Sequence, residues 1–257
     1  MNSLNSLTCV VLLTGSLLSS QTARETKSYL KRAEISETAG TIHIVANSPR
    51  PLAQMLDSLR DKYAWAVSYE DPQFISKLDL AEADDSINHA LKSHLPGGGL
   101  FSIEFPTGAA QEERILQLVV DSYNRSNNPG RFEVRKSELH NFSVVGVEAR
   151  DRHGQISHQR VVFDVPITLA TRRRTASDTV HLICRKIAAQ RGVAVTVGVS
   201  PRRVLDQTAV TIGGANTSAR DLLLQTLTAT HRTLYWRLLF DPDSNGYFLD
   251  IHLTPTS

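Results

Sequence analysis

Cysteine is scarce in this chain, which contains only Cys9 and Cys184 among its 257 residues. Cys9 lies in an apolar N-terminal run, so a chain that has lost this run keeps a single thiol. A single thiol excludes both an internal disulfide and a cluster of thiolate metal ligands. Cys184 falls on the apolar face of a predicted helix, where we expect it to pack as a small apolar side chain.

An excess of charge of one sign is also absent. Lys and Arg number 28 against 26 Asp and Glu, which gives a formal net charge of +2. A nearly neutral surface creates no broad field that would attract nucleic acid, so we expect no nucleic-acid partner. Hydrophobic residues make up 41% of the chain, which is typical of a folded globular protein.

The sequence lacks the short motifs of common catalytic and metal sites. Its nine His residues form no H-E-x-x-H pair, and no G-x-S-x-G sequence offers a nucleophile. The glycine-rich stretch 95–99 (LPGGG) has no Lys in P-loop spacing and precedes a strand pattern, so we interpret it as a flexible connection. We therefore expect a protein that is not an enzyme and uses no cofactor.

One turn resembles the first half of a calcium-binding loop. Asp241, Asp243 and Asn245 have the spacing of three oxygen ligands, and Gly246 follows them. The twelfth position of the loop is His252, although a bidentate Glu is needed there. We therefore predict a hydrogen-bonded hairpin turn and no bound metal.

Long apolar runs are missing except at residues 7–18 (LTCVVLLTGSLL). This run is shorter than the roughly 20 residues that cross a bilayer, and it is typical of the hydrophobic part of a signal peptide. The preceding residues carry no Lys or Arg, so a misplaced start codon or a buried N-terminal segment are the alternatives. We predict a signal peptide over residues 1–23, a periplasmic or secreted protein, and no membrane span in the mature chain.

What the sequence does contain is a recurring unit of helix, strand, turn and strand. In residues 218–240 (SARDLLLQTLTATHRTLYWRLLF), a cap at Ser218 is followed by apolar residues at helical spacing, and alternation begins at Leu234. The DPDSNG sequence at 241–246 has turn chemistry, and a second alternating segment follows it.

Three more helices of this kind are predicted: one opens at Ser48, one carries Leu116, Val119, Val120 and Tyr123, and one opens at Thr175. A strand pattern precedes each of the four helices, at residues 41–46, 100–105, 161–167 and 208–212. The first and third helices align without a gap, so that Leu52, Leu56 and Val67 correspond to Val180, Cys184 and Val195.

This repetition predicts an α+β protein with two tandem β-α-β-β-α-β-β modules, at residues 40–150 and 160–254. Each module is expected to be a small sheet with two helices packed on it. Residues 72–99 form an insertion in the first module with weak helical character at 81–95, and the polar residues 151–159 form a linker or an exposed turn.

The order of elements resembles the secretin and TonB short N-terminal (STN) domain, a small periplasmic module. The resemblance rests on FDVPI (163–167), DTVHLICRKIAAQRGVAVTV (178–197) and AVTIGGANTSARDLLLQTLTATHRTLYWRL (209–238), and it is looser over residues 41–147. Ala64 and His231 stand where the family usually has glycine after a helix. The resemblance implies an adaptor that binds other proteins in the cell envelope.

Two regions are candidates for partner binding. Arg172, Arg173 and Arg174 are interpreted as a basic turn before a helix. The final strand is expected to be an exposed edge that accepts a partner strand, through Tyr247, Phe248, Asp250 and His252.

The sequence therefore predicts a non-catalytic adaptor of two STN-like modules that contacts a protein partner in the envelope. The alternative is a cell-wall or small-ligand-binding protein that uses the module interface together with Arg172–Arg174. A hydrolase would be a third class, but it needs convergent polar side chains in a cleft, and the sequence offers none.

Overall fold

A computed structural model describes residues 32–83, 93–109, 111–139 and 141–254. The predicted signal peptide at 1–23 lies outside the described residues. Strands and helices are mixed along the chain, and the protein is α+β as predicted.

The first half of the described chain contains nine strands and two helices. Its strands are β1 (Glu34–Thr38), β2 (Thr41–Asn47), β3 (Val67–Glu70), β4 (Leu80–Ala83), β5 (Ser93–Pro96), β6 (Leu100–Pro106), β7 (Arg131–Lys136), β8 (Phe142–Arg150) and β9 (Ile156–His158). Its helices are α1 (Pro51–Tyr63) and α2 (Glu112–Arg125).

The second half contains five strands and three helices within the described residues. The strands are β10 (Pro166–Thr175), β11 (Val195–Val197), β12 (Ala209–Ser218), β13 (Leu234–Asp241) and β14 (Gly246–Leu253). The helices are α3 (Ala176–Arg191), α4 (Arg202–Gln207) and α5 (Ala219–Thr228).

The helix ends follow the local chemistry of the sequence. Thr175 and Ser218 cap α3 and α5 by accepting hydrogen bonds from the backbone N–H groups of Asp178 and Asp221. Ala64 and His231, at the two positions where glycine was expected, have φ of 56° and 55°. The chain therefore adopts the left-handed conformation there without glycine, at some cost in backbone strain.

Both halves use the same strand connections. The strand before the first helix pairs antiparallel with the strand before the second helix: β2 with β6, and β10 with β12. The strand after the first helix (β3 or β11) pairs parallel with the second strand after the second helix (β8 or β14). That strand also pairs antiparallel with the strand just before it, which gives the orders β3-β8-β7 and β11-β14-β13.

The first helix of each half packs between these two sets of strands. Helix α1 contacts both β2 and β3, and α3 contacts both β10 and β11. Their apolar faces are buried, and Cys184 is among the buried residues of α3. Burial raises the pKa of the Cys184 thiol to about 12, in keeping with a side chain that packs as an apolar residue.

The expectation of a separate sheet in each half is wrong. Strand β3 of the first half pairs in parallel with β13 of the second, at Tyr69 with Arg237 and at Glu70 with Leu238. This pairing creates one seven-stranded sheet in the order β11-β14-β13-β3-β8-β7, with β9 added to β8. From Arg32 onward the described chain forms one compact unit.

Three local predictions also need correction. Residues 81–83 and 93–95 belong to the β4–β5 hairpin, so the helical pattern expected at 81–95 is wrong at both ends, and residues 84–92 lie outside the described ones. Of the linker or exposed turn expected at 151–159, residues 151–155 do form a turn, but residues 156–158 form β9, which pairs with β8. The strand expected at 161–167 instead runs from Pro166 to Thr175.

Candidate functional site

The first candidate region is the contact between strands β3 and β13 together with the charged residues beside it. We call this region the joint, and its charged residues are Arg50, Asp57, Arg60, Glu70, Asp71, Arg220 and Arg237. Asp71 follows β3 and bonds to β13 in two ways. Its backbone N–H donates to the Leu238 carbonyl at 2.8 Å, and its carboxylate accepts from the Phe240 N–H at 2.9 Å. The two halves are thus held in one register by both backbone and side chain.

The Asp71 carboxylate is fully enclosed and paired. Arg50 Nε donates to Asp71 Oδ2 at 2.6 Å, and the Tyr69 hydroxyl donates to Oδ1 at 2.7 Å. Arg50 also donates to the Phe240 carbonyl at 2.5 Å, so one guanidinium contacts both halves. Burial, together with the negative charge of Asp71, raises the pKa of Tyr69 well above its usual value, and its hydroxyl stays protonated.

Glu70 is the centre of a second group of charges. Arg220 of α5 donates to both of its carboxylate oxygens, and the indole N–H of Trp236 donates to Oε1 at 3.1 Å. Arg220 also donates a hydrogen bond to the exposed Asp164 at 3.0 Å, and Asp164 forms a second ion pair with Arg135. Burial alone would raise the pKa of Asp164, but the hydrogen bonds from Arg135 and Arg220 and their charges lower it.

A third group of polar side chains lies between α1 and β13. Asp57 pairs with Arg60 and, at 3.0 Å, with Arg237. Arg237 Nη2 lies 2.8 Å from His252 Nε2, and the His252 ring stacks on Tyr235 with centroids 5.2 Å apart. Burial and the charge of Arg237 lower the pKa of His252 to about 3, so the ring is neutral and its Nε2 accepts from the guanidinium.

These contacts give the joint a structural role. Buried ion pairs add little net stability, but a missing partner is costly, so such pairs favour one arrangement of the elements that carry them. The module interface, which the sequence suggested as a ligand site, is occupied by these side chains. A small recess of about 10 Å³, with room for about one water molecule, lies elsewhere in the first half and is lined by Asp79, Gly130, Arg131, Glu148, Ala149, Arg150 and Ile156.

The second candidate region is the ribbon, which we define as the two-stranded sheet of β10 and β12. Arg172, Arg173 and Arg174 lie within β10, opposite Ile212, Thr211 and Val210. The expected basic turn is therefore wrong, because these residues form the regular part of a strand. Arg172 and Arg173 are exposed, whereas Arg174 is half-buried.

Arg174 has a local structural task. The pairing of β10 with β12 shifts between Leu169 and Arg172, which is a β-bulge. The Arg174 guanidinium donates to the carbonyl oxygens of Ala170, at 2.5 Å, and Ile212, at 3.2 Å. The Arg174 guanidinium is thus used in hydrogen bonds to two backbone carbonyls next to the bulge. Of the three arginines, Arg172 and Arg173 are the two whose side chains are exposed to solvent.

The predicted edge at β14 is wrong. β14 pairs with β13 along its whole length and with β11 from Tyr247 to Leu249, so it lies inside the sheet. Tyr247 is buried and Phe248 is half-buried. Asp250 accepts from the Val199 N–H at 2.8 Å, and burial raises its pKa. The final strand therefore cannot accept a partner strand while this fold is intact.

The residues of the calcium-like turn are used within the protein. Asp241 accepts from the backbone N–H of Asp243 at 3.1 Å, which stabilises the hairpin turn. Asp243 accepts from the His94 N–H at 3.0 Å, and its other oxygen lies 2.7 Å from the His94 ring nitrogen. Asn245 has φ of 49° in the turn. Within the described ranges, no three His, Cys, Asp or Glu side chains are grouped to hold a metal.

Sequence reasoning missed both β1 and the joint. The only sign of β1 was the Ala39-Gly40 pair, where φ values of 51° and 75° form the turn into β2. The joint was signalled by Glu70 and Asp71, two adjacent acids directly after an apolar strand pattern.

No protein-family model, curated protein or solved structure matches the chain. No helix in the described ranges is long and apolar enough to cross a membrane.

Proposed function

We propose that this protein is an exported, non-catalytic adaptor that binds a protein partner in the cell envelope, and that the ribbon is its binding surface. The observation that carries the proposal is the open ribbon. Both β10 and β12 are ten residues long, and each has one edge that no other described strand pairs. Unpaired strand edges present backbone donors and acceptors that another chain can satisfy.

Two features of the sequence support the cellular setting. The apolar run at residues 7–18 favours export, and the resemblance to STN modules favours an adaptor role in the envelope. The proposal moves the partner contact from β14, where the sequence suggested it, to the ribbon, which also holds Arg172 and Arg173.

The test is capture of proteins from an envelope extract by the immobilised chain, beside sedimentation of the chain with peptidoglycan. We expect specific protein capture that is reduced in an Arg172→Glu/Arg173→Glu variant and retained in an Arg185→Glu/Lys186→Glu variant. The second variant has the same change in charge on exposed residues of α3. Sedimentation with peptidoglycan without protein capture would replace the adaptor by the cell-wall-binding alternative.

A further inference from the structure

The first half of the chain contains its own example of strand addition. Strand β1 lies antiparallel beside β2, with Glu34 opposite Val45 and Thr38 opposite Thr41. β2 precedes α1 and pairs with β6 on its other side, just as β10 precedes α3 and pairs with β12. The edge of β2 that β1 occupies has a counterpart on β10, and no strand in the described ranges pairs there.

The regular part of this open edge is about as long as β1. After the bulge, residues 172–175 pair with residues 209–212 without a shift in register. β1 itself has five residues. The edge of β10 can therefore pair with a short extended segment of similar length, while the bulge marks where regular pairing stops.

The charge of the ribbon indicates what that segment carries. Neither β10 nor β12 contains an Asp or a Glu. Arg172 and Arg173 are exposed on adjacent positions of β10, so their side chains point to opposite faces. Helix α4, which packs against β10, begins with the exposed Arg202 and Arg203. A segment that adds to β10 meets positive charge on both of its faces.

We propose that the partner places an acidic, extended segment antiparallel to β10, in the position that β1 occupies on β2. This inference rests on the proposed function and names the partner's chemistry. Backbone hydrogen bonds along the edge hold the segment, and carboxylates next to Arg172 and Arg173 select it over neutral or basic segments.

A peptide titration tests the proposal on the full chain. The probes are a labelled, acetylated peptide of six alternating Glu and Val residues, its fully N-methylated twin, and a counterpart with Lys in place of Glu. We expect the Glu peptide to bind, the Lys peptide to show no binding, and the N-methylated twin to bind at least about tenfold more weakly because it cannot donate backbone hydrogen bonds. Equal binding of the Glu peptide and its N-methylated twin would overturn strand addition.

Charge-reversal variants locate the site. Arg172→Glu/Arg173→Glu should weaken binding of the Glu peptide about tenfold, whereas Arg185→Glu/Lys186→Glu should leave it unchanged. Equal weakening by both variants would overturn the site.

Sedimentation of the chain alone tests whether a second copy occupies the edge. A dimer that is lost in the Glu34→Lys variant would show that β1 of a second copy pairs with β10, and this result would also overturn the proposal. A chain that captures envelope protein but ignores the Glu peptide would refute this inference and leave the proposed function standing.

Discussion

At the scale of single residues, Arg220 holds the buried Glu70 of the joint. It neutralises Glu70, which is 1% exposed, and links it to the exposed Asp164. We expect Arg220→Ala to lower the free energy of unfolding by about 3–5 kcal/mol, because it leaves a buried carboxylate without its partner. Arg135→Ala, at the exposed end of the same group, should cost about 1 kcal/mol or less. Urea denaturation measures both, and similar losses would contradict this role.

His252 should make stability depend on pH. Burial and Arg237 lower its pKa to about 3, so the folded protein keeps this ring neutral where the unfolded chain, with an ordinary His pKa near 6.5, takes up a proton. The stabilisation is complete above about pH 6.5 and is lost as the pH falls toward 3.

We expect the free energy of unfolding to fall by about 1–2 kcal/mol more between pH 7 and pH 5 in the wild type than in His252→Gln. Denaturation curves of both proteins at the two pH values measure this difference. Parallel pH dependence in the two proteins would show that His252 is not held neutral. The other titrating groups are common to both proteins, so they cancel in the comparison.

At the scale of elements, the β10 bulge depends on a glycine opposite it. A Cβ at Gly213 would lie 2.4 Å from the backbone N and Cα of Thr171. We expect Gly213→Ala to destabilise the protein by about 1–3 kcal/mol, since backbone cannot move aside as a flexible side chain can. Gly99→Ala, where a Cβ meets no atom within 4 Å, is the control. Equal thermal stability of the two variants would contradict the close approach at the bulge.

Sequence reasoning identified elements well where the information is local. Thr175 and Ser218 cap helices as expected, because each hydroxyl lies three residues before an acidic residue and at the start of an apolar pattern with helical spacing. Residues 172–174 were predicted to be a turn because three consecutive arginines show no alternation of polar and apolar residues. They form a strand because they pair with β12, which lies far away in the sequence. Strand β14 was predicted to be an exposed edge, but β11 pairs with it. This pairing joins segments that lie about fifty residues apart, so no local pattern in the sequence indicates it.

At the scale of the whole molecule, Glu70 and Asp71 mark a buried polar site in the sequence, but the pairing of β3 with β13 could not be predicted because it depends on which strands of two distant segments meet. Its consequence is cooperative unfolding. Trp65 lies in the first half and Trp236 in the second, so Trp65→Phe and Trp236→Phe variants each report from the remaining tryptophan. We expect one urea transition in each variant, with the same midpoint by fluorescence and circular dichroism. Two separated transitions would show that the halves unfold independently.

The central claim is that the ribbon, presented by this joined structure, binds an added strand. Hydrogen–deuterium exchange of the full chain with and without the alternating Glu–Val peptide tests it most directly, since amides that gain a backbone partner exchange more slowly. We predict new protection in residues 172–175 of β10, with residues 246–253 unchanged. Protection that appears in residues 246–253 or around the joint, with none in β10, would contradict the account.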